Sequence, residues 1–143
     1  MVTLKQQAAT SIIDHARREK ARRDPVWFLR HVLNTSPYGP YDKQEEIALS
    51  LRDHSRVACV GANGTGKDWV AGRLLLWWQW VHDEALTIVI GPTHRQVSDI
   101  VWKEVRSAYG TARVPLGGTM YITPRWEGDE RHFALGFATN EPM

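Results

Sequence analysis

The spacing of apolar positions changes character twice along this chain, near Arg56 and again after Gly110. Before Arg56 it predicts helices. Residues 3–23 read as one helix, polar and basic over its second half. Asp24-Pro25 ends it, because proline disfavours a helical residue before it. Pro25 then suits the first turn of a second helix, through about Leu33. Residues 34–40, which include Pro37, Gly39 and Pro40, form a loop on composition. Asp42 can cap a third helix over 43–53, with Glu45 and Glu46 in the first turn, where the helix dipole favours negative charge.

From Arg56 the pattern becomes that of alternating strands and helices. Residues 56–61 are a short apolar run bounded by polar residues, which predicts a buried strand. A glycine-rich loop follows, then a helix from Lys67 to about Asp83. Residues 87–91 predict a second buried strand, broken by Pro92-Thr93, and a long helix runs from about Arg95 to Tyr109. This order predicts βαβ units, a parallel sheet and right-handed crossovers. After Gly110, residues 119–123 and 132–138 read as two strands, joined as a hairpin through 124–131.

A chain of 143 residues fits one domain. Hydrophobic residues at 43% and charged residues at 24% argue against disorder of the whole chain. No apolar run approaches the roughly 20 residues that span a bilayer, so no membrane association is expected. The N-terminus lacks the apolar core of a secretory signal. Cys59 is the single cysteine, which excludes an intramolecular disulfide and suits a reducing compartment. The net charge of +2 is unevenly spread. Residues 1–30 carry seven Lys/Arg against three acids, and the remainder eleven against thirteen. The basic N-terminal helix is either a surface for nucleic acid or an acidic partner, or a solvated helix face.

The chemistry concentrates at Gly61-Ala62-Asn63-Gly64-Thr65-Gly66-Lys67-Asp68. Seven of these eight positions fit the phosphate-loop pattern of glycine, any four residues, glycine, lysine, then serine or threonine. Glycines let the backbone turn tightly and aim successive N–H groups at one anion. The following helix adds its unpaired N–H groups and the positive end of its dipole. Lys67 can reach the β- and γ-phosphates and neutralise charge in phosphoryl transfer. Asp68 stands where a hydroxyl usually ligates Mg²⁺. A carboxylate can ligate Mg²⁺ too, yet it repels phosphate, so direct ligation, a water-bridged contact and a weakened metal site all stay open. The alternative is a glycine-rich turn with a chance lysine, which the strand, loop and helix pattern argues against.

Gln44, in Tyr41-Asp42-Lys43-Gln44, can pair with N6 and N7 of adenine, which would make ATP the preferred nucleotide; otherwise it is a surface glutamine. Trp69, Trp77, Trp78 and Trp80, with Leu74, Leu75 and Leu76, predict a helix buried on most sides, packing rather than stacking on bases. Thr93-His94-Arg95-Gln96 falls at the C-terminal end of the second strand, where open α/β sheets meet their ligands. These residues either sense nucleotide or DNA, or Thr93 merely caps a helix. His15, His31, His54, His82, His94 and His132 show no metal-ligand spacing.

From about Pro25 onward the chain resembles the N-terminal part of the ATPase domain of the large terminase subunit of tailed bacteriophages. The resemblance rests on Trp27-Phe28-Leu29, Tyr41 to Glu46, Gly61 to Asp68, the tryptophan-rich helix, Gly91-Pro92-Thr93-His94-Arg95-Gln96-Val97 and Val101 to Arg106. It implies an α/β fold of the P-loop NTPase (RecA/ASCE-like) kind: a parallel sheet with flanking helices, here with an N-terminal helical extension and a C-terminal β-hairpin. Residues 1–24 would be the basic helix and 25–143 a partial ATPase domain. The resemblance also implies ATP and Mg²⁺ as cofactors and translocation of double-stranded DNA into a preformed capsid. The implied partners are a portal protein, a small terminase subunit and further copies in a ring. The implied location is the host cytoplasm, with transient docking on the viral procapsid. An arginine acting on the γ-phosphate is expected of this family, and Arg125, Arg131 and Arg95 are the candidates.

The chain departs from the family at its end. Residues 138–143 resemble the segment upstream of the family's second acidic motif, and no apolar strand ending in Asp-Glu follows within the chain. That pair would hold Mg²⁺ and polarise the attacking water. The chain is therefore expected to be a truncated piece that binds ATP weakly and turns it over very slowly alone. Two other readings compete: a helicase-like P-loop motor, and a non-catalytic module working through its basic helix.

Overall fold

In the computed structural model, which describes residues 1–140, Thr3 starts the first helix, α1 (Leu4–Arg23). The Thr3 hydroxyl accepts from Gln6 N–H at 3.2 Å, and the Gln6 side chain accepts from Thr3 N–H at 2.8 Å. This reciprocal pair satisfies donors that a helix start leaves open. Asp24 caps the next turn, α2 (Pro25–Trp27), by accepting from Trp27 N–H at 3.0 Å, with Pro25 in the first position. The helical path then widens to a π-helical stretch, Phe28–Val32, whose Phe28, Leu29 and Val32 are buried. The third helix, α3 (Asp42–Asp53), has Tyr41 at its cap position, so Asp42 sits inside the first turn rather than capping it.

Helix α4 (Lys67–Val81) forms the centre of the core, with Val70, Leu74, Leu75, Leu76, Trp77 and Val81 buried. The expected helix after it is split into a π-helical stretch, Gln96–Val101, and α5 (Trp102–Thr111). Gly72 lets α5 pack tightly on α4: a Cβ there would lie 3.0 Å from both Glu104 Cβ and Val105 N.

Four strands make one mixed sheet in the order β1 (Leu86–Gly91), β4 (His132–Ala138), β3 (Arg125–Asp129), β2 (Thr119–Met120). Only β1 and β4 are parallel, pairing Leu86 with Phe133 through to Gly91 with Ala138. β3 runs antiparallel to both β4 and β2. Trp102 is fully buried against this sheet, at Gly136: a Cβ there would sit 2.3 Å from Trp102 Nε1. The fold is thus α/β, with a mixed sheet in place of the expected parallel one.

Three further expectations are corrected. Residues 56–61 form no strand; residues 52–65 are exposed, and Val60 is 99% exposed. A strand cannot satisfy its own backbone, and no ladder partner reaches this segment among the described residues. The strand at 86–91 is not buried: Leu86, Ile88 and Ile90 are exposed at alternate positions, so one face of β1 is uncovered; β1 is also the edge strand and borders a groove of about 880 Å³. The hairpin lies one strand later than predicted. Residues 119–123 pair only at Thr119 and Met120, and the turn falls at Glu130-Arg131 between β3 and β4. Of the end segment that carries the family resemblance, residues 141–143 lie outside the described residues.

Candidate functional site

The loop before α4 takes the shape its glycines permit. Gly64 and Gly66 have φ of 75° and 80°, in the left-handed region that disfavours other residues. Gly66 is the cap residue of α4, and no side chain caps that helix start. The first-turn N–H groups and the positive end of the helix dipole therefore remain available to an anion. Gly61, Ala62, Asn63, Gly64 and Thr65 are all exposed. Thr65 braces the loop by donating its hydroxyl to Ala62 C=O at 2.9 Å.

Lys67, the first residue of α4, folds over the loop. Its ammonium donates to the carbonyls of Gly61 and of Ala62, the latter at 3.3 Å. Neutral carbonyls are weaker partners for a full charge than an anion is, and a phosphate oxygen would replace them with an acceptor that is itself charged. Asp68 is exposed, and its carboxylate makes no hydrogen bond or ion pair among the described residues. A hard cation between this carboxylate and a bound phosphate fits the donor set, because Mg²⁺ is commonly held by one or two carboxylates plus substrate phosphates. The described residues contain no ready-made cluster of three or more His, Cys, Asp or Glu for a metal ion.

Two clefts flank the loop. One, of about 450 Å³, runs between α3 and residues 57–61 and is lined in part by Gln44, Glu46, Gly61 and Lys67. Glu46 there is already paired with Lys43 at 2.7 Å. The other, of about 430 Å³, is lined by Tyr38, Tyr41, Gln44, Trp69 and the turn Gly64-Thr65-Gly66. Trp69, assigned to packing by the sequence, is half-buried and stacks under Arg73, whose guanidinium carbon lies 4.0 Å from the ring centroid. Arg73 in turn holds Glu104 at 2.9 Å; burial holds its pKa below the ordinary value, and the hydrogen bond to Glu104 offsets this only in part.

Gln44 lies beside the loop, but its amide is engaged. Its oxygen accepts from Tyr41 N–H at 3.2 Å and its nitrogen donates to Gly66 C=O at 3.2 Å. The Tyr41 hydroxyl donates to Thr65 C=O. Sequence reading gave Tyr41 no role. The available signal was its place three residues before Gln44, at the start of a helix.

The arginine candidates are not gathered here. Arg125 pairs with Glu127 at 3.3 Å on β3, and Arg131 reaches Glu84 at 3.7 Å. Neither they nor Arg95 line a cleft beside the loop. Thr93 accepts from Gln96 N–H at 3.3 Å, the capping arrangement. Much of the basic charge of α1 is also used internally. Arg22 donates twice to Val81 C=O, at 3.2 and 2.6 Å, Arg18 pairs with Asp83 at 3.2 Å, and Lys20 lies 4.9 Å from the Trp27 ring centroid. The two arginine contacts place cations at the C-terminal end of α4, where the helix dipole favours them.

No helix among the described residues is long and apolar enough to cross a membrane. No protein-family model matches the chain, and the search of curated proteins finds no match either.

Proposed function

We propose that Gly61–Asp68 is the phosphate-binding loop of a P-loop ATPase, and that the chain is part of a terminase-type DNA-packaging motor. The observation that carries the nucleotide reading is the joint geometry of the loop. Left-handed Gly64 and Gly66 lead into an uncapped helix whose first residue is Lys67. Loop N–H groups would bind the β-phosphate, Lys67 would neutralise the γ-phosphate, and Asp68 would hold Mg²⁺ against them.

The motor reading rests on the resemblance, from Trp27 through Arg106. It extends to double-stranded DNA as the translocated substrate and to a portal, a small terminase subunit and further copies of the chain as partners. The cellular setting would be the host cytoplasm and the procapsid surface.

Calorimetry with ATP and Mg²⁺ tests the nucleotide reading. Lys67→Ala should weaken binding roughly tenfold or more, as expected for losing a hydrogen bond to a charged group. Equal binding by both proteins, or none by either, would remove the loop as a nucleotide site. ATP turnover that Lys67→Ala abolishes would keep the site and add hydrolysis to it.

A further inference from the structure

We infer that Tyr41 and Gln44 form a latch that sets the direction of the loop's anion-binding N–H groups, and that Gln44 is a positioning residue rather than the reader of the base. The inference rests on the reading of Gly61–Asp68 as a phosphate loop. Tyr41 and Gln44 grip two successive peptide units. The Tyr41 hydroxyl holds Thr65 C=O, and the Gln44 amide nitrogen holds Gly66 C=O. A trans peptide is planar, with its C=O and the following N–H pointing in opposite directions. Holding Thr65 C=O toward α3 therefore turns Gly66 N–H away from α3. Holding Gly66 C=O the same way turns Lys67 N–H away with it. Either peptide, if flipped, would present a carbonyl oxygen where an anion needs a donor.

Three further facts fit a latch. Gln44 is 5% exposed, so it is built into the structure rather than offered to solvent. Its oxygen is anchored by Tyr41 N–H, which ties the two residues together at the start of α3. Gly66 is shaped to receive it: a Cβ there would lie 2.5 Å from Gln44 Nε2. Gly66 C=O also accepts the first helical bond of α4, from Val70 N–H at 3.1 Å, so the latch and the helix start share one atom. To pair with adenine, the Gln44 amide would have to leave both partners.

The experiment compares wild type, Tyr41→Phe and Gln44→Ala. Titrations use ATP, GTP and inorganic tripolyphosphate, each with Mg²⁺. Each variant should weaken all three ligands by the same factor, roughly twofold to tenfold for one neutral hydrogen bond. A loss confined to ATP, with GTP and tripolyphosphate unchanged, overturns the latch and makes Gln44 a base reader. A second measurement does not depend on nucleotide. In the ligand-free protein, ¹⁵N order parameters at Gly66 and Lys67 should fall in both variants while those of Leu74–Val81 hold. Unchanged order parameters overturn the latch even if the wild type binds no phosphate, whereas failure of wild-type binding alone refutes only the proposed function. Tyr41→Phe removes a single oxygen, so it keeps the test open should Gln44→Ala unfold.

Discussion

Two apolar runs in this chain meet opposite fates. Leu74–Val81 is largely buried in α4, whereas Val57–Val60 lies exposed beside the phosphate-type loop. Both are mainly apolar. The difference is in what each needs from the rest of the molecule. A helix closes its backbone hydrogen bonds within its own segment, so α4 can form first and then bury its apolar surface against α1, α5 and the sheet. A strand cannot be buried until a neighbour supplies the ladder. The free edge of β1 and the segment at 57–61 face the same groove with no strand between them among the described residues. The loop thus hangs between a rigid helix on one side and an unpaired segment on the other. This makes the latch from α3 and the anchor of α4 the two features that fix its shape.

The contrast predicts a graded series of stabilities. Trp102→Ala should cost most, about 3–5 kcal/mol, since it empties a fully buried indole site between α5 and the sheet. Urea unfolding followed by far-UV circular dichroism measures this, and a loss under about 1 kcal/mol would mean the helical core is not packed as described. Gly136→Ala should cost about 1–3 kcal/mol in the same assay, because its Cβ meets the immobile Trp102 ring and overpacks the site. Parity with wild type there would place Trp102 elsewhere. Val60→Asn should stay within about 0.5 kcal/mol of wild type, as for exposed positions in general. A cost approaching that of Trp102→Ala would show that residues 57–61 are buried in solution and would end the contrast.

The candidate site was legible in unequal parts. Gly64, Gly66 and Lys67 carry their meaning locally: two left-handed positions and a cation at a helix start follow from residue type and spacing. Gln44 was legible as a polar residue near the loop, but its partners were not. Those depend on α3 approaching the loop closely enough for one amide to bridge Tyr41 and Gly66, which are 25 residues apart in number. The same holds for the basic helix. Its charge is visible in the sequence, yet the ties from Arg18 and Arg22 to Asp83 and Val81 arise only because α1 packs on the far end of α4. Such contacts leave no local trace.

By itself the sequence determined what is made of near neighbours. It set the helices and their ends at Thr3, Asp24 and Pro25, the tryptophan-rich core helix, and the glycine turn that opens it. Their physical causes act over three or four residues, through capping, proline geometry and helical periodicity. Tertiary structure alone decided which apolar runs became strands, that β3 and β4 run antiparallel while β1 joins β4 in parallel, and that the Gln44 amide faces the loop backbone. Strand pairing and side-chain bridges depend on partners brought close by folding, and loop-closure entropy, not local preference, governs whether they meet.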